Sequence, residues 1–385
     1  MTTNVSGQWP GALGGIRVLD FTAFVAGPYC TRLMADLGAE VVKVEPPAGD
    51  LLRATSPLLD GHSRFFGQLN CGKKSLQLDL KTAEGGDLAR QLAAKADVVV
   101  ENFRPGVMAR FGLDYPTLSA AKPDLIYCSI SGYGQTGPGA ERPAFAAIVH
   151  AASGYDLAQL DYQDGNGAPA RGRPVVADIL AGTHANAAIS AALHHRGRTG
   201  IGQYLDIALI DAMHNVLPYE FQASQLEAQV RRVPIYEPIR TQDGFIIITP
   251  VTQKNFESLA KSLDRPEWIT DPRFKERGDR LQNWPQLVAM VGDWAAGRTA
   301  AECERIIGRG CPCARYQTIG ESLATPEVVA RGGAVEAEDA AGRFMVPAPP
   351  LRMSASAAPI RPKVPELGEH DGEVIRNWLA GDAEE

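Results

Sequence analysis

Between Gly15 and Ile130, short runs rich in Val, Ile and Leu alternate with helical stretches, and that alternation leaves few folds open. Gly15-Ile-Arg-Val-Leu-Asp20, Glu40-Val-Val-Lys-Val-Glu45, Ser75 to Leu80, Asp97 to Asn102 and Leu125 to Ile130 read as strands. Gly27-Pro28 opens a helix that stops at Gly38, with Pro just inside the start and Gly just past the end. Thr82 caps a second helix running to Ala96, and another helical stretch reaches Arg110. A further strand is expected over Gly202–Leu209. Strand, helix, strand, repeated with right-handed crossovers, gives a parallel sheet with ligand crevices at the strands' carboxyl ends. The expected fold class is therefore α/β, with a Rossmann-like large domain. Glu45 ends the second strand, where a dinucleotide enzyme would hold a ribose. The turn from Phe21 to Gly27 is not Gly-x-Gly-x-x-Gly, so a nicotinamide cofactor is poorly supported. Gly49 to Gly72 reads as irregular, and Asn70 to Ser75 as a basic turn.

A second stretch bears on chemistry. From Ile179 to Leu193 small and apolar residues dominate, with Ala at 181, 185, 187, 188, 191 and 192, and the run ends at Arg196-Gly-Arg-Thr-Gly200. That pattern predicts a buried helix with Asp178 at its N-cap, facing free N–H groups and the positive end of the helix dipole. Both favour an ionised carboxylate at neutral pH. A helix so short of bulk requires a close neighbour. A carboxylate at its mouth serves either as a cap or as a nucleophile with oxyanion donors in place. Asn102, Arg104 and Arg110 fall near strand ends, and with Lys81 they have the charge to grip phosphates; they read equally well as loop residues in solvent. Arg142 to Gly154 reads as another small-residue helix, with His150 packed on its apolar face, and residues 155–172 as a mobile loop.

The charge of −7 and the scattered basic residues give no footprint for nucleic acid. No apolar run reaches the length of a membrane span. The first ten residues lack the pattern of a signal peptide, so a cytoplasmic location is expected. Six widely spaced cysteines fit reduced thiols, and Cys311-Pro-Cys313 alone makes a poor zinc site. The large domain is expected over 1–215 and completed by 330–385, followed by a linker over 216–234. A smaller α/β domain is expected over 235–325, and a return linker with a final helix over 326–385. The small domain should hold a hairpin turning at Asp243-Gly244 and helices near 255–263, 285–294 and 299–307. The tail from Gly333 reads as extended until a last helix, Asp371 to Leu379.

In order along the chain stand Gly15-Ile-Arg-Val-Leu-Asp-Phe-Thr22 with Ala26-Gly-Pro28, Leu37-Gly-Ala-Glu-Val-Val-Lys-Val-Glu-Pro46, and Asn70-x-Gly-Lys-Lys-Ser75. There follow Val100-Glu-Asn-Phe-Arg-Pro-Gly106, Ser131-Gly-Tyr-Gly-Gln-Thr-Gly-Pro138, Val176-Ala-Asp178, Asp271-Pro-Arg-Phe274 and Leu367-Gly-Glu-His370. With these, nearly the whole chain resembles the class III CoA-transferases, the family of formyl-CoA transferase, carnitine CoA-transferase and, more distantly, α-methylacyl-CoA racemase. The resemblance implies that Asp178 is a nucleophile working through a mixed anhydride and an aspartyl-CoA thioester. It implies CoA contacts at Val25, Ala26, Leu78, Lys81, Asn102, Phe103, Arg104 and Arg110. CoA is then a substrate and carrier, with no further cofactor. It also implies an entwined homodimer. Two departures stand out: Ala146 and Val25 replace an acidic residue and a Gln common near the reacting centre. The Gly-rich loop that formyl-CoA transferase closes over its site is missing, which disfavours oxalate and formate. Short dicarboxylates such as succinate, mesaconate, itaconate or malate are the first guess, because Arg142, His150, Arg171 and Arg173 lie near the centre in sequence. Two alternatives remain. A 2-methylacyl-CoA racemase needs a His–Asp pair, and the matching positions are Phe145 and Ala146. A non-catalytic CoA-binding subunit of a heteromer is the other.

Overall fold

The computed structural model describes residues 11–160, 162–163, 167–170, 172–226, 236–356, 358 and 360–379. The chain divides into two units, one of residues 1–222 with 330–385 and one of residues 223–329.

The first unit begins with β1 (Arg17–Asp20), α1 (Ala26–Asp36) and β2 (Glu40–Glu45). The stretch expected to be irregular holds a small hairpin, β3 (Leu58–Leu59) with β4 (His62–Ser63), and a helix, α2 (Arg64–Asn70). Ser63 caps that helix by accepting a hydrogen bond from the Phe66 N–H. The next elements are β5 (Lys74–Gln77), α3 (Ala83–Lys95), β6 (Val98–Glu101), α4 (Tyr115–Ala121) and β7 (Ile126–Ser131). The expected Thr82 cap is present, its hydroxyl accepting from the Gly85 N–H. The unit continues through α5 (Ala146–Ala152), α6 (Tyr155–Leu160), α7 (Val176–Thr199), β8 (Gln203–Ala208) and α8 (Leu209–His214). The expected mobile loop therefore starts as a helical turn; residues 161, 164–166 and 171 of it lie outside the described residues.

Six strands form one sheet in the order β5-β2-β1-β6-β7-β8, every pair parallel. Beside β1 the order reverses, with β2 on one side and β6 on the other, and such a point opens a crevice at the carboxyl edge. One face of the sheet carries α1, α5, α7 and α8 over a core that includes Val18, Val98, Ile126, Ala181 and Ile189. The other face carries α3, α4 and the C-terminal helix Asp371–Leu379, with Leu92, Leu118, Val374 and Trp378 packed on Val42 and Tyr127. The tail is not simply extended: β9 (Ala334–Asp339) and β10 (Gly342–Pro347) pair antiparallel. Phe66 and Leu69 of α2 pack with Ala337 and Val346 of that hairpin.

The expected basic turn at 70–75 is a buried charge centre. Lys73 and Asp20 are both fully buried and form an ion pair of 3.1 Å. The Lys73 ammonium also donates to Thr31 Oγ1 at 2.8 Å, Asn70 Oδ1 at 2.9 Å and the Pro28 carbonyl at 3.0 Å. Asp20 further accepts from the Thr22 N–H at 2.9 Å and the Thr31 hydroxyl at 2.6 Å. Lys43, also buried, pairs with Asp50 at 2.9 Å and donates to the Thr22 carbonyl at 2.7 Å. Together these bonds fasten the β1–α1 turn from beneath.

The second unit holds a three-stranded sheet of Ile239–Arg240, Phe245–Ile248 and Cys313–Arg315. Its first two strands form the expected hairpin; the third was not foreseen. Helices Gln253–Ser262, Trp284–Ala295 and Ala300–Ile307 cover it around Phe256, Leu287 and Ile307. Thr299 caps the last of these in a capping box with Glu302. No helix among the described residues is long and apolar enough to cross a membrane.

Candidate active site

A cavity of about 260 Å³ opens at the carboxyl edge of the sheet, beside β1 and β6. It is lined by Phe24, Val25 and Ala26 of the β1–α1 turn, by Asn102, Phe103 and Arg104 after β6, and by Ser131 at the end of β7. The segment Arg142–Phe145 forms another wall, and Asp178 faces the same space.

The close neighbour that the Ala-rich helix requires is α1. A Cβ on Gly182 would sit 2.5 Å from the Ala26 carbonyl oxygen, so only glycine lets the two backbones approach there. Asp178 lies one turn before Gly182, and this contact sets it beside the β1–α1 turn. A Cβ on Gly27 would run into the Thr22 side chain, so that turn too depends on its glycine. Asn102 pins the turn from the other side: its Oδ1 accepts from the Ala23 N–H at 2.9 Å and its Nδ2 donates to the Ala23 carbonyl at 2.8 Å. Phe24, at φ 64°, holds a left-handed conformation that costs a bulky residue energy. Its ring meets Phe145 edge-on at 5.5 Å.

Asp178 differs from the expectation in two respects. Helix α7 begins at Val176, so Asp178 is its third residue and not its N-cap. The dipole still favours its charge, but burial raises its pKa from 3.8 to about 6. Among the described residues its carboxylate has no hydrogen bond and no ion pair, so nothing offsets that burial. One first-turn donor is already taken, since the Ala177 N–H bonds His150 Nε2 at 3.1 Å. His150 is buried, stacks near Tyr155 at 5.3 Å, and is held below its ordinary pKa by that burial, with Asp156 opposing. It is neutral, with Nε2 an acceptor and the proton on Nδ1, and it caps the helix that carries Asp178.

The eight residues with an expected CoA role separate. Val25, Ala26, Asn102, Phe103 and Arg104 line the cavity with Asp178, whereas Leu78, Lys81 and Arg110 do not. Leu78 packs into the core just past β5, and Lys81 and Arg110 are exposed. β5 stands three strand spacings from β6 along the same edge, roughly 14 Å. Arg104 also lines an adjoining cavity of about 330 Å³ with Glu101, Tyr115 and Tyr204. Glu45 is no ribose ligand: Arg53 grips both its oxygens at 2.7 Å and the Ser75 hydroxyl donates to it at 2.7 Å. Of the four polar residues near the centre, Arg142 lines the cavity, His150 is committed to its cap, Arg173 is exposed and Arg171 lies outside the described residues. Ser131 opens the Ser131–Pro138 motif, but neither it nor Phe24 has a readable site role in the sequence, because left-handed backbone at a Phe and a hydroxyl with no partner among the described residues are products of packing. No group of three His, Cys, Asp or Glu among the described residues is placed to hold a metal ion.

The family described as CoA-transferase family III matches residues 13–371. The succinyl-CoA:mesaconate CoA-transferase of Haloarcula hispanica is 33% identical over 384 residues, covering 95% of this chain and 96% of its own. The acetyl-CoA:oxalate CoA-transferase of Acetobacter aceti is 33% identical over 395 residues, covering all of both chains. Among solved structures, a CAIB/BAIF family protein from Brucella suis superposes with a TM-score of 0.83 at 30% identity, covering 96% of this chain and 100% of that one.

Proposed function

The chain belongs to CoA-transferase family III and is a CoA-transferase of that family, and from that premise we propose that it moves CoA from an acyl-CoA donor to a short dicarboxylic acid, with Asp178 as nucleophile. The observation that carries this reading is the carboxylate of Asp178, unpartnered among the described residues, in the cavity lined by Val25, Ala26 and Phe103. A carboxylate tied up in an ion pair would be a poor nucleophile; this one is held only by its helix. The Asp178 carboxylate attacks the thioester carbonyl of the donor, and the carbon–sulfur bond breaks to give a mixed anhydride and CoA thiolate. The thiolate attacks the aspartyl carbonyl, releasing the donor acid and leaving an aspartyl-CoA thioester. The acceptor carboxylate attacks that thioester, forms a second anhydride and frees the thiolate again. The thiolate then attacks the acceptor's acyl carbon, yielding the new acyl-CoA and regenerating aspartate. Phe24, Phe103 and Phe145 put apolar surface beside Asp178, and a bound acyl-CoA that covers it would limit hydrolysis of the anhydrides.

Two relatives are named for transfer to mesaconate and to oxalate, both diacids, which supports the acceptor class and argues against setting oxalate aside. The racemase alternative lacks its His–Asp pair, since Phe145 and Ala146 occupy the matching positions and His150 Nε2 already accepts the Ala177 N–H. The reading is tested by assaying the chain expressed alone against a panel of acyl-CoAs and free acids by mass spectrometry. Transfer to diacids is the expected result; no transfer without a second chain would favour the non-catalytic subunit.

For CoA we propose that Arg104 and Arg110 hold phosphates. Arg104→Ala and Arg110→Ala should each raise KM for acyl-CoA roughly ten- to hundredfold, the worth of a charge-assisted hydrogen bond. Equal losses with acyl-pantetheine, which has no nucleotide, would remove the assignment. We also propose a homodimer. Phe145, Ile148 and Leu157, at 61%, 50% and 58% exposure, leave apolar surface beside the active-site helix within a single chain. Light scattering at nanomolar concentration should still give the dimer mass; an active monomer would refute the assembly.

A further inference from the structure

Two donors in the Asp178 cavity make no hydrogen bond or ion pair among the described residues. Ser131 is 8% exposed, and its hydroxyl oxygen is buried with no hydrogen bond among the described residues. Buried hydroxyls are rarely left so, and each that is asks for a ligand or a water. Arg142 is the second. Of the residues lining the cavity, three carry charge: Arg104, Arg142 and Asp178. Arg104 faces the proposed CoA phosphates and Asp178 is the proposed nucleophile, which leaves Arg142 without a role. Its guanidinium lies 4.4 Å over the Tyr133 ring and makes no ion pair among the described residues. Stacking of that kind fixes the plane of the guanidinium and leaves its N–H edge free for a carboxylate.

The fold brings these two donors together. Gly132, next to Ser131, packs so tightly on Ala144 that a Cβ there would clash with the Ala144 methyl. Gly139, in turn, lies against Tyr133, where an added Cβ would stand 3.2 Å from the ring-bearing Cβ. The start of the loop that follows β7 is thus packed on the segment carrying Arg142, the loop closes on itself at Gly139, and Ser131 and Arg142 line one cavity.

We propose that Ser131 and Arg142 form the subsite for the second carboxylate of a dicarboxylic acyl group while its first carboxylate reacts at Asp178; this rests on the dicarboxylate reading above. A planar guanidinium edge with one hydroxyl donor matches the two oxygens of a carboxylate. A monocarboxylic acid leaves the buried Ser131 hydroxyl unpaired and forgoes the charge-assisted bonds of Arg142, so the site should favour the diacid.

The test is a selectivity ratio. Wild type, Ser131→Ala, Arg142→Gln and Arg142→Lys are assayed with oxalate, succinate and glutarate against acetate, propionate and butyrate, with acetyl-CoA as donor. The quantity read is kcat/KM for the best diacid divided by that for the best monoacid. It should fall roughly tenfold in Ser131→Ala and roughly hundredfold in Arg142→Gln, the range of one neutral and one charge-assisted hydrogen bond. Arg142→Lys, which keeps the charge and loses the fork, should fall between them. Arg142 is exposed, so its variants have no folding barrier to confuse the result. A ratio unchanged in all three variants, with wild type still preferring diacids, overturns the subsite and leaves the dicarboxylate reading standing. Equal losses for diacids and monoacids place these residues at the reacting carbon and also overturn it. A wild type that serves only monoacids refutes both.

Discussion

Asp178→Ala should lower transfer by roughly 10⁴–10⁶-fold while leaving CoA affinity within about threefold, the pattern of losing a nucleophile and no binding group. Incubating the wild type with acyl-CoA and hydroxylamine should convert Asp178 to a hydroxamate, as the amine displaces CoA from the aspartyl thioester. A mass spectrum with Asp178 unmodified during active turnover would remove the covalent route. The raised pKa adds a pH signature. Only the ionised form attacks, so kcat/KM should climb with pH and level off above about 6. The sign for stability is opposite. The folded value of about 6 lies above the ordinary 3.8, so the unfolded chain ionises first as pH rises. Stability conferred by the neutral form is complete below about 3.8 and lost by the time pH passes about 6. Asp178→Asn should therefore melt higher than wild type at pH 7 and show no such gain at pH 4. A lower melting temperature at pH 7 would mean the carboxylate is structural after all.

The largest expected loss of stability comes from Lys73→Met. It leaves Asp20 fully buried without its cation, and breaking such a pair costs about 3–5 kcal/mol. Burial alone would raise Asp20, yet Lys73, Lys43 and the Thr22 and Thr31 hydroxyls outweigh it and hold the carboxylate below its ordinary range. Its stabilisation is therefore present above pH 3.8 and is lost as pH falls further, through the folded value. Burial pulls Lys73 down to about 8 against the opposition of Asp20. With four acceptors within 3.1 Å and no donor, it is the ammonium that occupies this position at neutral pH. Calorimetry should show the transition of the Lys73→Met protein displaced downward by several degrees. The pair Asp20→Asn with Lys73→Met should cost less than the sum of the two single changes, because the residues share one interaction. Strict additivity would show the ion pair to be idle.

The contrast between those two sites shows what a sequence displays and what it hides. Strands such as Val98–Glu101, buried on both faces, display themselves as unbroken apolar runs, and their parallel order follows from the helices between them. The helix behind Asp178 was legible from its small residues and its Gly200 stop, which does hold φ 74°. Its first turn was misplaced because Val175 and Val176 offer no capping side chain. Lys73 reads in sequence only as part of a basic turn, because its partner, Asp20, lies 53 positions away. Glu45 stands at a strand end where a ribose ligand would, and its actual partner, Arg53, follows in a stretch with no clear periodicity. Helix α2 was hidden by Gly67, and the β9–β10 hairpin by the Pro and Ala around it. For the site, single residues at strand ends were readable, but not how far along the edge each would stand. Leu78 and Arg104 belong to one carboxyl edge and still lie three strands apart.

The C-terminal segment has a consequence for synthesis. The Ser75 carbonyl accepts from the His370 N–H at 3.0 Å, the Gln77 N–H donates to Asp371 at 2.8 Å, and Arg53 donates to the Pro365 carbonyl at 3.1 Å. These bonds join the edge strand β5 and its surroundings to residues translated 294 to 312 positions later. At roughly 5–20 residues per second, a ribosome needs about 15–60 s to reach them. Throughout that interval the nascent chain presents the β5 edge and the groove meant for Val374 and Trp378 uncovered, long after β1 and β2 have emerged. A message truncated near codon 360 would leave that edge permanently open, so its product should be found with chaperones or in aggregates and not as a smaller soluble enzyme.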